Sequence, residues 1–187
     1  QLRDALLGQR HDLIFLAGHF SANEALAADF TTRVNVSELK ASSVDLRNTL
    51  VWSNGCHSGY NIVDGDAITG VTEPLDWAQA VAQKGATLIA GTGYQYGDTD
   101  FLEYSERIYA EFAHQLRVGT GPVAVGDALV ASKLQYLSTT QSLSGLHEKA
   151  ILEAALFGLP MFKVNMTGAR DTTAGSGPTS LTFKTAD

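Results

Sequence analysis

One cysteine and one histidine in this chain have the residue types and the positions that nucleophilic catalysis requires. Cys56, the one cysteine, lies in segment 53–59, which reads SNGCHSG and follows the end of an apolar run. A lone thiol cannot form an intrachain disulfide, and a thiolate is a strong nucleophile when a neighbouring imidazole activates it. His19 follows a second apolar run, residues 13–16. The pattern predicts a Cys56 nucleophile with His19 as its base; the alternative for a single cysteine is a small, buried apolar side chain.

These two residues can meet only if the strands before them are neighbours. Apolar runs at 12–17, 49–54 and 86–91 predict buried strands, and helical patterns lie between them. Strands alternating with helices indicate an α/β fold with a mostly parallel sheet covered on both faces, and ligands bind beyond the carboxyl ends of such strands. Consecutive strands are neighbours about two-thirds of the time. We therefore expect His19 and Cys56 to follow adjacent strands at that edge.

The remaining elements are predicted from periodicity and from helix-start signals. Helices are expected at 1–9, from Ser37, from Pro74 to 83, and at 98–116, 123–137 and 147–157, with a last strand at 161–164. Residues 24–36 are ambiguous and could form a β-excursion, and residues 60–72 read as a long loop. We predict one domain over residues 1–166 and a Gly/Ser/Thr-rich linker or tail over 167–187.

Composition excludes several classes of function. The chain has 187 residues and a formal net charge of -7 without a basic run, which argues against nucleic-acid binding. No apolar stretch is long enough for a transmembrane helix, so no membrane insertion is predicted. His19, Cys56 and His57 lack a fourth ligand for zinc, and the glycine-rich loop 91–97 departs from the dinucleotide-binding spacing. The sequence therefore predicts neither a metal nor a cofactor.

A thiolate attack on a carbonyl also needs backbone N–H donors for the oxyanion. Gly55 would let the chain turn tightly before Cys56 and direct the Cys56 N–H into the site. Gly18 would do the same beside His19. His57 adjoins Cys56, but neighbours on an extended chain point in opposite directions, so we interpret it as a solvated or loop-packing residue.

Two segments together resemble the catalytic core of the caspase-fold cysteine peptidases, and the gingipain family is the nearest in pattern. They are AGHFS at 17–21 and SNGCHSGY at 53–60. These enzymes place a histidine after one central strand and a cysteine after the next, in that chain order. The resemblance extends through the helix and strand of 75–93 to the segment LFGLPM at 156–161, and so covers roughly residues 10–165.

The resemblance implies a three-layer caspase-like sandwich and a cysteine endopeptidase with a Cys56–His19 dyad acting on a peptide or protein substrate. Its oxyanion hole would use the N–H of Cys56 and one beside His19. The family usually has Gly after the histidine, where this chain has Phe20, and Asp where it has Leu159. The family also has about two strands before the histidine-bearing strand, so an upstream segment is expected to complete the sheet. A secreted or cell-surface bacterial enzyme is favoured by resemblance alone.

Substrate selection is predicted to involve residues around this pair. Gly55 and Phe20 adjoin the dyad, and Asp98 and Asp100 follow the third predicted strand, where related peptidases carry an acidic residue that selects Arg or Lys. The alternative for the two aspartates is capping of the helix that begins there. The alternative for the whole chain is a catalytically inactive caspase-like binding or scaffold domain, with Phe20 blocking the site.

Overall fold

The computed structural model describes residues 2–27, 29–61, 69, 74–143, 145–168 and 170. Among them the chain divides into two compact units, Gln1–Tyr96 with Leu152–Gly158, and Gly97–Ile151 with Leu159–Asp187. The predicted loop at 60–72 and the predicted tail at 167–187 lie largely outside the described residues. The elements are α1 Leu2–Gly8, β1 Leu13–Phe20, β2 Glu24–Leu26, β3 Arg33–Asn35, α2 Val36–Ala41, β4 Leu50–Gly55, α3 Trp77–Gln83, β5 Thr87–Gly91, α4 Tyr104–Gln115, β6 Val123–Ala124, α5 Val125–Thr139, α6 Leu146–Glu153, β7 Ala154–Phe157 and β8 Lys163–Val164.

The first unit is built on a mixed six-stranded sheet in the order β3-β2-β1-β4-β5-β7. The three central strands are parallel: β4 pairs with β1 on one side and with β5 on the other. The outer strands β2, β3 and β7 pair antiparallel with their neighbours. This confirms the α/β class, the parallel centre of the sheet and the adjacency of the two strands that precede His19 and Cys56.

One face of this sheet packs on the core of the first unit. Side chains alternate along β1, and Ile14, Leu16 and Phe20 pack into the core, whereas Phe15 is 52% exposed. The core also takes Leu39 from α2 and Trp77 from α3. Helix α3 starts where its sequence supplies a capping box, in which Asp76 and Gln79 exchange side-chain and backbone hydrogen bonds.

The second unit contains α4, α5 and a short ladder between β6 and β8. Its buried side chains include Ile108, Phe112 and Leu116, which lie within the helix predicted at 98–116. Every helix among the described residues is too short or too polar to cross a lipid bilayer.

Several predicted boundaries were wrong. Strand β1 continues through Gly18 to Phe20, because β2 pairs with its last two residues. The predicted helix at 147–157 is α6 followed by β7, because the apolar residues 154–157 pair with β5. The predicted strand at 161–164 is reduced to β8, which pairs with β6 and not with the central sheet.

Two predicted helix starts also lie too early in the chain. Helix α4 begins at Tyr104 with Glu103 as its N-cap, so Phe101, within the predicted helix 98–116, precedes it and is 74% exposed. Helix α3 begins at Trp77, and Pro74 lies before it instead of in its first turn. In both cases the first residues that had been assigned to a helix belong to the preceding loop.

Candidate active site

The pairing of β1 with β4 brings His19 and Cys56 to the same level of the sheet edge. The parallel register runs from Leu13↔Leu50 to Gly18↔Gly55; His19 is the next residue of β1, and Cys56 is the first residue after β4. Neighbouring side chains on a strand lie on opposite faces of the sheet. Phe20 packs against the core, so His19, directly before it, is assigned to the opposite face. Cys56, which follows Gly55 as His19 follows Gly18, is assigned to that face as well. The two residues therefore follow matched positions on neighbouring strands.

Cys56 opens a tight turn directly after β4. It is half-buried, and its thiol can donate to the carbonyl oxygen of Gln95, 3.9 Å from Sγ. His57 follows with a φ of 57°, which reverses the chain direction. The amide N–H of His57 donates to Gly93 O at 2.7 Å, and that of Gly59 donates to Gly91 O at 2.9 Å. The turn is thus held against the loop that follows β5.

Two buried serines fix the backbone on both sides of Cys56. The Gly55 N–H donates to Ser53 Oγ at 3.1 Å, and Ser58 Oγ donates to Gly55 O at 2.7 Å. Each serine is only 1% exposed. Sequence reasoning missed both serines, although the spacing Ser-x-Gly-Cys-x-Ser contained the signal. Their hydrogen bonds hold the Cys56 backbone in one conformation.

Glycine is required twice in this turn by close packing. A Cβ on Gly55 would lie 2.2 Å from Phe20 Cδ2, and one on Gly59 would lie 2.7 Å from Ala90 O. The turn beginning at Cys56 therefore sits directly on the backbone of β5, and the Phe20 ring sits directly on the backbone of β4. Gly55 was expected to permit a tight turn; its observed role is to make room for Phe20.

The Phe20 ring belongs to the interior of the first unit. It packs against Trp77, with 5.6 Å between ring centroids, and against the buried core cluster. The residue after His19 is thus partly buried against the core, and it also lines the cleft beside His19. The predicted contact of Phe20 with substrate stays a prediction.

His19 is exposed, and its ring is 5.7 Å from the ring of Phe30 between centroids. Gly18 before it has a φ of 148°, a conformation that side-chain-bearing residues rarely adopt. Phe30 lies in a turn where Asp29 accepts hydrogen bonds from Thr31 and Thr32. These bonds, above all the one from the Thr32 hydroxyl, lower the pKa of Asp29 to about 2. The Asp29 turn therefore holds Phe30 beside the imidazole.

A cleft of about 450 Å³ opens beside His19. Its lining is largely apolar and includes Phe15, Ala17, Leu26 and Phe30. Strand β2 pairs with β1 only at His19 and Phe20, so no described residue pairs with the earlier part of β1 on this side. The cleft runs along this strand edge, and His19 and Phe20 are part of its lining.

The other residues singled out from the sequence take different places. Asp98 and Asp100 are exposed in the second unit, where Asp98 Oδ1 accepts from the Asp100 N–H at 2.8 Å. Asp98 therefore caps a turn, and helix capping there was wrong because α4 begins at Tyr104. Their role in substrate selection stays a prediction. His57 packs edge-on against Tyr94, with 4.5 Å between centroids, which confirms the loop-packing interpretation.

The sequence did not predict a functional role for two amide side chains near Cys56. Asn54 Oδ1 and both polar atoms of the Gln95 side chain are buried without a hydrogen-bond partner among the described residues. The sequence offered only their proximity to Cys56 and to the loop after β5 as a signal. Within the same described part of the chain, no cluster of His, Cys, Asp and Glu side chains has the arrangement of a metal site.

Comparison of the chain with protein-family models, with curated protein sequences and with solved structures finds no match.

Proposed function

We propose that this chain is a cysteine endopeptidase in which Cys56 is the nucleophile and His19 the general base and acid. The observation that carries the proposal is the register of β1 with β4, because His19 and Cys56 are the residues that follow its last pair, Gly18↔Gly55. Nucleophile and base must be able to reach hydrogen-bond distance, and matched positions on neighbouring strands allow this. The carboxyl ends of parallel strands are also where open α/β sheets bind ligands.

In the first half of the reaction, His19 takes the proton of the Cys56 thiol as sulfur attacks the carbonyl carbon of the peptide bond. The carbonyl π electrons move to oxygen and form a tetrahedral oxyanion. When the intermediate collapses, the C–N bond breaks, the leaving amine takes the proton from His19, and a thioester to Cys56 remains.

In the second half, His19 takes a proton from water as the water oxygen attacks the thioester carbon. Collapse of this second intermediate breaks the C–S bond, releases the carboxylic acid product and returns the proton to the Cys56 sulfur. The reaction consumes one water for each peptide bond and requires neither metal nor cofactor.

The proposal assigns the oxyanion hole to the Cys56 N–H, as the resemblance implies. The N–H groups of His57 and Gly59 are bonded to the carbonyls of Gly93 and Gly91, so they hold the turn and do not face a substrate. Ser53 and Ser58 fix the peptide units on both sides of Gly55. A donor held in place before the reaction stabilises developing charge more effectively than one that must reorient.

The proposal extends to a caspase-like sandwich of the gingipain type. In support, the strand that carries His19 and the strand that ends directly before Cys56 are central and adjacent in the expected chain order. The partly unpaired edge of β1 offers a place for the upstream strands that the resemblance implies. The packing of Phe20 against the core also favours an open site over an inactive domain that this ring blocks.

Alkylation of Cys56 by iodoacetamide, combined with turnover of a peptide library, tests this function. We expect His19→Ala to slow alkylation at neutral pH by about 100-fold, because the thiolate loses its activating base, and Cys56→Ala to abolish cleavage. His11→Ala is the matched control, since His11 precedes β1 at the strand end opposite His19. Unchanged alkylation in His19→Ala would refute the dyad, and fast alkylation without turnover of any peptide would favour a binding domain.

A further inference from the structure

Two amide side chains near Cys56, those of Asn54 and Gln95, have buried polar atoms without hydrogen-bond partners among the described residues. Asn54 Oδ1, Gln95 Nε2 and Gln95 Oε1 are all shielded from solvent, and none makes a hydrogen bond to a described residue. Buried amides are nearly always paired, because an unpaired donor or acceptor loses its bond to water without replacement. Three unpaired atoms beside one reactive thiol therefore need an explanation.

The two amides converge on the same edge of the sheet. Asn54 is two residues before Cys56 on β4, so alternation puts their side chains on one face. The backbone carbonyl oxygen of Gln95 accepts from the Cys56 thiol. The side-chain amide of Gln95 packs so closely on Gly91 that a Cβ at Gly91 would lie 1.6 Å from Nε2. Because Ala90 is paired with Ser53, Gly91 lies one step further, level with Asn54.

The unpaired atoms include at least one donor and two acceptors, and this combination restricts the ligand. A guanidinium has no acceptor for Gln95 Nε2, whereas a carboxylate has no donor for Asn54 Oδ1. A carboxamide offers both an NH₂ and a carbonyl oxygen. The Glu153 carboxylate, which lies against Gly93, adds negative charge to the same loop and disfavours an acidic ligand.

From these contacts we infer that Asn54 and Gln95 bind the substrate side chain on the acyl side of the cleaved bond and select asparagine or glutamine. This specificity rests on the proposed peptidase function, since it assigns a substrate class to the same site. The buried amides make the selection, because a side chain without matching donor and acceptor leaves them unpaired.

Peptides that differ only in the acyl-side residue, Asn, Gln, Ala, Asp or Arg, test this assignment in two ways. Turnover by the intact protein should favour Asn or Gln over Ala and Arg by about tenfold or more in kcat/KM. Binding to Cys56→Ala protein, measured by calorimetry, should show the same order without catalysis. Gln95→Met, which removes the amide at nearly constant volume, should abolish the preference, and Gln95→Glu should shift it toward Arg.

Gln83→Met provides the matched control, because Gln83 is exposed at the end of α3. It should retain the wild-type preference. Turnover without an Asn or Gln preference, or with a preference for Arg, would overturn the specificity and leave the peptidase function standing. Selective binding of the Asn or Gln peptide without turnover would uphold the amide site and refute the peptidase function, whereas neither binding nor turnover would refute both.

Discussion

The ring of Phe20 lies against the backbone of Gly55, so closely that a Cβ at Gly55 would be 2.2 Å from Phe20 Cδ2. This contact joins the residue after His19 to the residue before Cys56. It lies on the core side of the sheet, and His19 and Cys56 themselves are assigned to the other side. Packing in the interior therefore sets the spacing of the two strand ends that carry the proposed dyad.

Gly55→Ala should destabilise the protein by about 1–3 kcal/mol, because the added methyl group must displace the Phe20 ring. Phe20→Leu in the same chain should recover part of this loss, and the two substitutions should be non-additive in a double-mutant cycle measured by urea unfolding. Gly8→Ala is the control, since a Cβ there meets nothing within 4 Å. Additive effects of the two substitutions would show that the contact does not determine the packing.

Ser58→Ala should lower the free energy of unfolding by about 1 kcal/mol, because Gly55 O loses the buried hydrogen bond from Ser58 Oγ. If the turn is pre-organised for catalysis, kcat should fall while KM changes little. Ser138→Ala, which removes an exposed hydroxyl bonded to Gln135 O, serves as the control. A larger effect on KM than on kcat would instead assign Ser58 to substrate binding.

Phe30→Ala should slow alkylation of Cys56 with little change in stability. Phe30 is 66% exposed, so its removal leaves no buried cavity, but His19 loses the ring that it packs against. Phe101→Ala is a matched control, since Phe101 is 74% exposed in the second unit. Equal alkylation rates in the two variants would mean that Phe30 does not orient the imidazole.

The second unit should lose stability in alkali because of Tyr136. Burial raises the pKa of Tyr136 from 10.0 to about 12, and its hydroxyl lies 2.6 Å from His147 Nδ1. A raised folded-state pKa means that the stabilising contribution is complete below pH 10 and is lost as the pH rises toward 12. The free energy of unfolding should fall by at most about 1.4 kcal/mol per pH unit in this window.

Tyr136→Phe isolates this titration, because the ring and its contact with Arg107 Cζ at 4.2 Å from the centroid remain while the ionisable group is lost. Urea unfolding between pH 9 and 12 should therefore show a shallower decline in the variant. Parallel declines for the two proteins would place the alkaline loss at other groups.

The sequence predicted the parallel centre of the sheet because its strands are continuous apolar runs between helices. It could not show that residues 154–157 leave the helical pattern, since a short apolar run fits either state and pairing with β5 decides between them. It likewise suggested that Asp98 starts a helix, whereas that carboxylate closes a turn and Glu103 caps α4. The helical preference of 154–157 was overridden by pairing with a strand distant in sequence. At Asp98 it was overridden by a competing local hydrogen bond.

At the candidate site, chain order alone predicted that the strands before His19 and Cys56 would be adjacent. It did not predict that Phe20 faces the core, because the extension of β1 depends on its pairing with β2. Nor did it single out Gln95, whose position depends on the path of the loop after β5 and on close packing against Gly91. Residues fixed by strand register were thus more predictable than residues fixed by loop conformation.

The offset between paired residues of β1 and β4 is the same as the offset between His19 and Cys56. Interior packing of the two strands maintains that register. The register does not depend on the length of the segment that connects the strands. Residues 27–32, which join β2 to β3, could therefore gain or lose residues during evolution while the strand ends next to the proposed dyad keep their alignment. This connection supplies Phe30 to the cleft, so a change in its length would alter the surroundings of His19 without shifting the register of β1 with β4.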